Sequence, residues 1–563
     1  MAREDALHNA GWKRRASAGQ LGHGVLCRRA PAGLAYAAGA GRCDNSFHGA
    51  GAQGGRGEPQ GRARGRAPVC AGRLRETHRR AAPGDPAGAG PAAAATTCDP
   101  RRPRPTRRRT GLKGITVSVE LTHPSFRHGI HPDEHKLATE HLKIERMPFT
   151  GRYILLLSQH TGAPAKAVVR RGQKVRRGQL VAEPGGFVSM ALHSPVTGTV
   201  KTVAAHRHPN GQLTPAVEIE ADPFATQRFQ PQPPLDWRAM SGKEFADHVQ
   251  RAGLVGMGGA AFPTHVKYAV PEGKRVRRLV VNGCECEPFL TCDHRLMVER
   301  AEAIARGIQI VTEKLDVEET VVGIEDNKAD AAEALRAAIG DNDRVKVKLL
   351  KVKYPQGAEK MLIKAIYGIE VPAGKLPLDV EIVVNNVGTM ASLADYFDRG
   401  KPLVERPLTV SGPGVVRPAN LMVPIGTSVR DVLDHCGGLT EETRLVVMGG
   451  PMMGMPLASL DVPVLKGTSG ILAFTEIETH YPTEYACVRC GRCLDACPNF
   501  LNPSRLGRLA KAGRYEEMER SFVMDCMECG SCSFACPSNI PIIQLIRVAK
   551  SALRERKSQR KTK

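Results

Sequence analysis

The sequence predicts a multidomain α/β protein in which an all-β unit, a unit of alternating strands and helices, a small mixed β unit and a helical cysteine-rich unit follow one another. Three observations carry this reading. Valines and leucines alternate with polar residues between positions 150 and 220, and apolar β-rich runs alternate with amphipathic stretches between 244 and 400. Eight of the 16 cysteines fall between 487 and 536. A chain of 563 residues holds three or four domains at about 100–200 residues each. With 42% hydrophobic and 24% charged residues, packed cores are available and wholesale disorder is excluded. The 14 Phe, nine Tyr and two Trp are too few for base-stacking platforms. No window approaches the ~18 consecutive apolar residues of a membrane span. The N-terminus has no apolar signal-type run, so export is not expected.

Residues 1–114 hold 22 basic and seven acidic residues, a net +15, which leaves only +8 of the total +23 for the rest of the chain. Stretches such as GAGPAAAATT and RRPRPTRRR have no helix or strand periodicity. Gly, Ala, Pro and Arg bury too little apolar surface to offset ordering entropy. The segment is therefore expected to be a disordered extension, with an over-extended start as one origin, rather than a basic arm for nucleic acid. Cys27, Cys43, Cys70 and Cys98 lack ligand-like spacing and receive no role.

Residues 115–225 are expected to be β. In AVVRRGQKVRRGQLVAE, Gly172 and Gly178 mark turns between short strands, and SPVTGTVKTV (194–203) repeats the pattern. This resembles the barrel-sandwich fold of biotinyl and lipoyl carrier domains, but no lysine lies between Lys174 and Lys201, so a covalent carrier is excluded. Residues 226–403 offer strands at 278–283, 320–325, 345–352 and 380–387, with helices at 329–339 and 358–368 between them. That alternation predicts a mainly parallel sheet covered by helices, with ligands bound at the carboxyl ends of its strands. Residues 404–475 return to short strands punctuated by Pro and Gly.

Residues 476–550 carry the strongest signal. CVRCGRCLDACP places Cys487, Cys490, Cys493 and Cys497 before Pro498, and CMECGSCSFACP places Cys526, Cys529, Cys532 and Cys536 before Pro537. Both are the C-x2-C-x2-C-x3-C-P run of bacterial ferredoxins, in which three thiolates on a tight loop hold one [4Fe–4S] cluster. The fourth cysteine is expected to begin a helix and to ligate the other cluster. Cys487, Cys490, Cys493 and Cys536 form one predicted set; Cys526, Cys529, Cys532 and Cys497 form the other. Zinc ribbons do not need the third cysteine at this interval, and disulfides need an exported protein. The intervening NPSRLGRLAKAGRYEEMERSF reads as helical. The end of the chain, 551–563, is a basic tail on an amphipathic helix. It either packs on the cysteine-rich unit or meets anionic lipid or an acidic partner.

A second motif, GLVGMGGAAFPTHVK (253–267), contains Gly256-x-Gly258-Gly259 and ends in Lys267. Glycines let backbone amides approach a phosphate and a lysine neutralises it. NGCECEPFLTCDHRLM (282–297), YPQGAEK (354–360) and VNNVGTM (384–390) each follow or flank a strand. On these residues alone, a nucleotide or flavin site and a set of unrelated strand-end turns stand level.

These segments resemble the NADH- and FMN-binding subunit of respiratory complex I. Together with GIHPDEHK (129–136), the carrier-like β unit and the twin cysteine runs, they occur in the order seen in the RnfC family of the Rnf electron-transport complexes. The resemblance spans about residues 120–550. It implies a Rossmann-like α/β flavin/NADH domain at 226–403, a soluble-ligand-binding β-grasp domain at 404–475 and a helical double-cluster ferredoxin domain. It also implies cofactor contacts at Gly256, Gly258, Gly259, Lys267, Asn282, Tyr354, Asn385, Asn386 and Thr389. Glu285, Glu287 and Glu359 match the catalytic positions beside flavin and nicotinamide. Three positions depart from the complex I pattern. Cys284 stands in place of Asp, Ala358 in place of Glu, and Ala261 in place of a glycine, which is expected only to tighten the loop. Cys284, Cys286 and Cys292 have no cluster spacing and are expected to be buried thiols, as is Cys436.

The family resemblance implies non-covalent FMN, two [4Fe–4S] clusters and NAD(H) as substrate. A hydride carries two electrons and a cluster takes one, so a flavin is the required intermediary. It further implies a peripheral subunit on the cytoplasmic face of the inner membrane, with ferredoxin as redox partner. Other subunits of the complex would translocate Na+ or H+. A complex that reduces a redox-sensing transcription factor is the alternative within the same chemistry. A nucleic-acid-binding iron–sulfur protein is the alternative from another class, and no nucleic acid is expected.

Overall fold

The computed structural model describes residues 124–480 and 482–561. The basic extension 1–114 and its four cysteines lie outside them.

The first unit is β throughout. One antiparallel sheet orders Arg152–Leu156, Leu213–Ala221, Gly198–Arg207 and Lys174–Val175, and a second orders Lys166–Ala167, Leu180–Glu183 and Leu192–His193. Gly172 and Gly178 make the expected turns at φ 81° and 86°, a region where a Cβ is disfavoured. Inward-facing Tyr153, Leu155, Val175, Val181, Val200, Val217 and Ile219 fill its core. The chain before this unit does not enter it. Ile144–Arg146 crosses to pair in parallel with Asn420–Met422 of a later sheet.

The second unit is a four-stranded parallel sheet in the order Val345–Leu350, Glu319–Glu325, Arg278–Gly283, Ile382–Asn386. Strand residues alternate between two cores. Leu279, Val281, Val322 and Ile324 face helices Ala301–Lys314, Ala329–Ile339 and Val387–Arg399, while Val280, Val321 and Val384 face helix Glu359–Tyr367. The last strand is shorter than the sequence predicts. Pro377–Val380 forms a 3-10 turn, and Val387 already belongs to the next helix because Asn386 caps it through Gly388 N–H at 2.8 Å.

The third unit is a mixed six-stranded sheet containing Glu405–Ser411, Ala419–Pro424, Thr443–Met448 and Gly470–Thr475, closed on one side by helix Val429–His435. Buried Glu405 ties the units together. It accepts from Arg146 at 2.6 Å, from Lys401 at 2.9 Å and from Arg177 of the first unit. These cations outweigh burial and hold its carboxyl down at about 2.

The last unit packs helices Pro503–Lys511, Tyr515–Arg520 and Ile542–Lys561 around Leu506, Met518, Ile542, Ile543, Ile546 and Ala549. The cysteine runs differ from expectation in one respect. Cys493 and Cys532, the third of each run, lie in one-turn helices Arg492–Asp495 and Ser531–Phe534, and Cys497 and Cys536 follow these turns rather than beginning helices. Gly491 and Gly530, at φ 80° and 81°, reverse the chain so that each short helix can start.

Candidate functional site

Three loops leave the carboxyl ends of the parallel strands, and the glycine loop lies beside them. Thr389, in the first turn of helix Val387–Arg399, anchors that loop. Its hydroxyl donates to Val255 O at 2.9 Å and accepts from Met257 N–H at 3.1 Å. Arg406, fully buried, donates to Lys466 O at 2.6 Å and reaches Met257 O at 3.5 Å from below. Buried Lys466 donates to Gly253 O at 2.7 Å and Ala191 O at 2.9 Å, joining three units under the loop, and burial pulls its ammonium down to about 7. The loop's outer side stays open. A Cβ at Gly259, where φ is 101°, would meet nothing within 4 Å, and one at Gly258 would first meet Asn386 Nδ2 at 3.7 Å. Ala261 takes a φ of 47°, so it adopts at some strain the left-handed turn that a glycine takes freely.

The remaining predicted residues gather around this opening. Lys267 and Glu359 pair with each other at 2.9 Å, and Lys267 also donates to Val384 O at 2.7 Å. Asn282 donates to Gly357 O at 2.8 Å, which joins the loops after two strands, and Asn385 donates to the Tyr268 hydroxyl at 2.8 Å. Asn386 donates to Asp293 at 2.6 Å. Helix Glu359–Tyr367 starts at Ala358 without a side-chain cap, so its first N–H groups are available to an anion. Both polar atoms of buried Gln356 have no hydrogen-bond partner among the described residues. Glycine amides, an uncapped helix start and a lysine make a donor set that suits the phosphate of a flavin mononucleotide.

Glu285 and Glu287 have separate surroundings. The Glu285 carboxylate accepts from the N–H groups of Asp293 at 2.9 Å and His294 at 3.1 Å, at the start of helix Cys292–Glu299. It adds to burial in pushing the Asp293 carboxyl up to about 7. Glu287 accepts from Met452 N–H of the third unit at 2.9 Å, and burial pushes its carboxyl up to about 7. The loop carrying both is held by a residue that sequence reasoning passed over. Lys136, the last residue of GIHPDEHK, is 5% exposed and donates to the carbonyls of Glu285 at 2.9 Å, Glu287 at 3.0 Å and Leu290. Asp293, Arg406 and Lys466 were passed over as well.

Tyr354 leads out of this site. It is 1% exposed, and its hydroxyl donates to Cys529 O at 2.8 Å, directly onto the second cysteine run. Ile130, Met452 and Cys286 pack against the same apolar cluster. Cys497 lines one cavity with Cys526, Cys529 and Cys532, while Cys536 lies within electrostatic reach of Cys493. Every described cysteine is a free thiol. Two convergent thiol sets of this kind suit iron–sulfur clusters. The thiols of Cys284, Cys286 and Cys292 serve separate partners. Cys284 donates to Gly323 O at 3.5 Å, Cys286 accepts from Gly357 N–H at 3.3 Å, and Cys292 donates to Ser469 O at 3.3 Å. Burial pushes all three up.

Comparison with known proteins follows the same division. Residues 124–223 match the RnfC barrel sandwich hybrid domain, 249–395 the Nuo51 FMN-binding domain, 407–456 the SLBB domain and 484–540 the 4Fe-4S dicluster domain. The C subunit of the proton-translocating ferredoxin:NAD(+) oxidoreductase complex of Clostridium ljungdahlii is 43% identical over 71% of this chain and 87% of its own length. The Na(+)-translocating counterpart of Acetobacterium woodii is 42% identical over 72% of this chain and 92% of its own. The corresponding subunit of the ion-translocating oxidoreductase complex of Rhodobacter capsulatus is 43% identical over 70% and 78%. Among the described residues no helix is long and apolar enough to cross a membrane. With its four matched domains in order and this identity across most of two relatives, the chain belongs to the RnfC family of the ion-translocating oxidoreductase complexes.

Proposed function

We propose that this chain is the flavin- and iron–sulfur-bearing subunit of an ion-translocating ferredoxin:NAD+ oxidoreductase, passing electrons between NAD(H) and a single-electron partner. The observation that carries this reading is the contact of Tyr354, at the end of the flavin-domain sheet, with Cys529 of the cysteine runs. FMN supplies the conversion between two-electron and one-electron transfer. Gly256, Gly258 and Gly259 bring backbone amides to its phosphate, with Lys267 as counter-charge. Thr389 holds the loop in place, and Asn282, Asn385 and Asn386 fix the strand-end loops around the ring system. Lys267 and Glu359 neutralise each other until an anion takes the lysine. Glu285 orients the helix start at Asp293, and Glu287, whose carboxyl burial pushes up to about 7, faces the third unit. Cys487, Cys490, Cys493 and Cys536 hold one [4Fe–4S] cluster, and Cys526, Cys529, Cys532 and Cys497 the other.

Ion movement falls to other subunits, and this chain lies peripherally on the cytoplasmic face of the membrane. The test is cofactor content and activity of the anaerobically reconstituted full chain. About eight irons and one FMN per chain, with NADH-dependent ferricyanide reduction, are expected from two four-iron clusters and one flavin. Eight irons without flavin or NADH oxidation would reduce the chain to a ferredoxin-like relay.

A further inference from the structure

The two cysteine sets occupy different depths. In the set completed by Cys497, none of the four is exposed, and Tyr354, Met452 and Ile130 cover it from the flavin side. In the other set, Cys487 and Cys490 are exposed, so water and salt screen a charge placed beside them. Helix Ile542–Lys561 covers the deeper set from the opposite side, and its buried face runs through Ile543 and Ile546. Lys550 stands seven residues after the first and four after the second, on that same face. It is 4% exposed. Its ammonium donates to Cys526 O at 2.7 Å and pairs with Glu528 at 2.7 Å. Glu528 donates its backbone N–H to Cys526 Sγ at 3.4 Å, and its carboxylate takes a second cation, Arg547, at 3.4 Å.

Burying an ammonium is costly even when it is paired, and replacing a buried pair by packed apolar side chains is often neutral or stabilising. A methionine at 550 would continue the apolar face, so stability alone does not call for a charge there. The charge falls on the ligand loop of the closed thiol set. Lys550 and Glu528 act on the Cys526 thiol in opposite senses.

We propose that Lys550, opposed by Glu528, sets the reduction potential of the cluster held by Cys526, Cys529, Cys532 and Cys497. Reduction adds one electron, and so one negative charge, to a four-iron cluster. In a site closed to water a fixed cation favours that reduced state. The Glu528 carboxylate works against it and limits the effect. Lys550 is a positioning charge, acting through its field and through the Cys526 carbonyl rather than as a ligand. Because this set lies on the Tyr354 side, its potential decides whether an electron rests beside the flavin loops or passes to the shallower set. The inference rests on the cluster ligation proposed above.

The test is an anaerobic redox titration of the full reconstituted chain, followed by electron paramagnetic resonance, which reads a midpoint for each cluster. K550M is expected to lower one midpoint by at least about tenfold in the reduction equilibrium, 59 mV for one electron, and to leave the other within about threefold. E528Q should raise the same midpoint by at least about threefold. K550R, which keeps the charge, should stay within about threefold of wild type. K557M, which removes a paired lysine from the exposed end of the same helix, should move neither midpoint beyond that range. Iron content reports whether each variant keeps both clusters, and if K550M loses iron, the sign and size of the E528Q shift decide. Shifts of the same sign in K550M and E528Q overturn the proposal, as do unmoved midpoints, an equal shift of both clusters, or a K550R midpoint as low as that of K550M. Fewer than about eight irons in the wild type would instead overturn the ligation beneath it.

Discussion

Replacing Lys136 by methionine keeps the aliphatic stem and removes the ammonium that three carbonyls share. The side chain is 5% exposed, so water cannot replace it at Glu285, Glu287 and Leu290. Each buried carbonyl left without a donor costs about 1 kcal/mol net, so the loop loses about 3 kcal/mol. Bonds to a charged donor are stronger, but releasing the ammonium from burial offsets part of the difference. If the flavin needs this loop ordered, about 3 kcal/mol corresponds to a dissociation constant raised about 100-fold. Flavin fluorescence quenching on the FMN-stripped full chain measures this, and hydrogen exchange over residues 284–291 locates it. K136M binding FMN within threefold of wild type, with unchanged exchange in that loop, would refute the argument that this lysine organises the site.

Other substitutions test separate contacts. Glu287 is protonated in the folded chain until about pH 7 and in the unfolded chain only to about 4.5, so stability falls as pH rises between those values. E287Q should flatten that slope in urea titrations from pH 5 to 7.5, and an unchanged slope would place the shift elsewhere. A Cβ at Gly307 would stand 2.1 Å from Met390 O, between helices Ala301–Lys314 and Val387–Arg399. G307A should therefore destabilise the sheet unit by about 1–3 kcal/mol, read as a lowered urea midpoint. Y354F leaves the Cys529 carbonyl without its donor and should speed amide exchange over 526–532 about tenfold, equivalent to about 1.4 kcal/mol, with iron content unchanged.

The parts legible in the sequence were those written in local repeats. Strand 278–283 and helix 329–339 coincide with the observed elements because apolar spacing of two or 3.6 residues records burial residue by residue. The cysteine runs were legible because a cluster dictates ligand spacing. What escaped was pairing across long separations. Nothing near Ile144–Arg146 announces a parallel strand partner at Asn420–Met422, and an isolated lysine at 136 looks like any surface lysine. Nothing in the sequence around Arg406 and Lys466 marks them, yet both are fully buried and bonded to carbonyls under the glycine loop. Among the expected cofactor contacts, Thr389 and Asn385 spend their hydrogen bonds on protein partners, a division of labour that motif matching does not reveal.

The early strand that completes a late sheet also sets a schedule. His128 reaches Leu494 O across 366 positions, and Ile144 must await Asn420. At synthesis rates of about 5–20 residues per second, Leu494 emerges roughly twenty to seventy seconds after the histidine that needs it. Until Asn420 arrives, Ile144–Arg146 is an unpaired strand, the kind of edge that recruits wrong neighbours or chaperones. The delay has a use as well. Ile130, Tyr354 and Met452 all precede the first cysteine run, so the floor on which the deeper thiol set rests is made before the thiols themselves. Its other cover, helix Ile542–Lys561, follows both runs in the chain, so that approach stays open while the cysteines emerge. The order of manufacture thus leaves an interval for delivering iron and sulfide, and a helix that docked before delivery would shut the deeper set without its cluster.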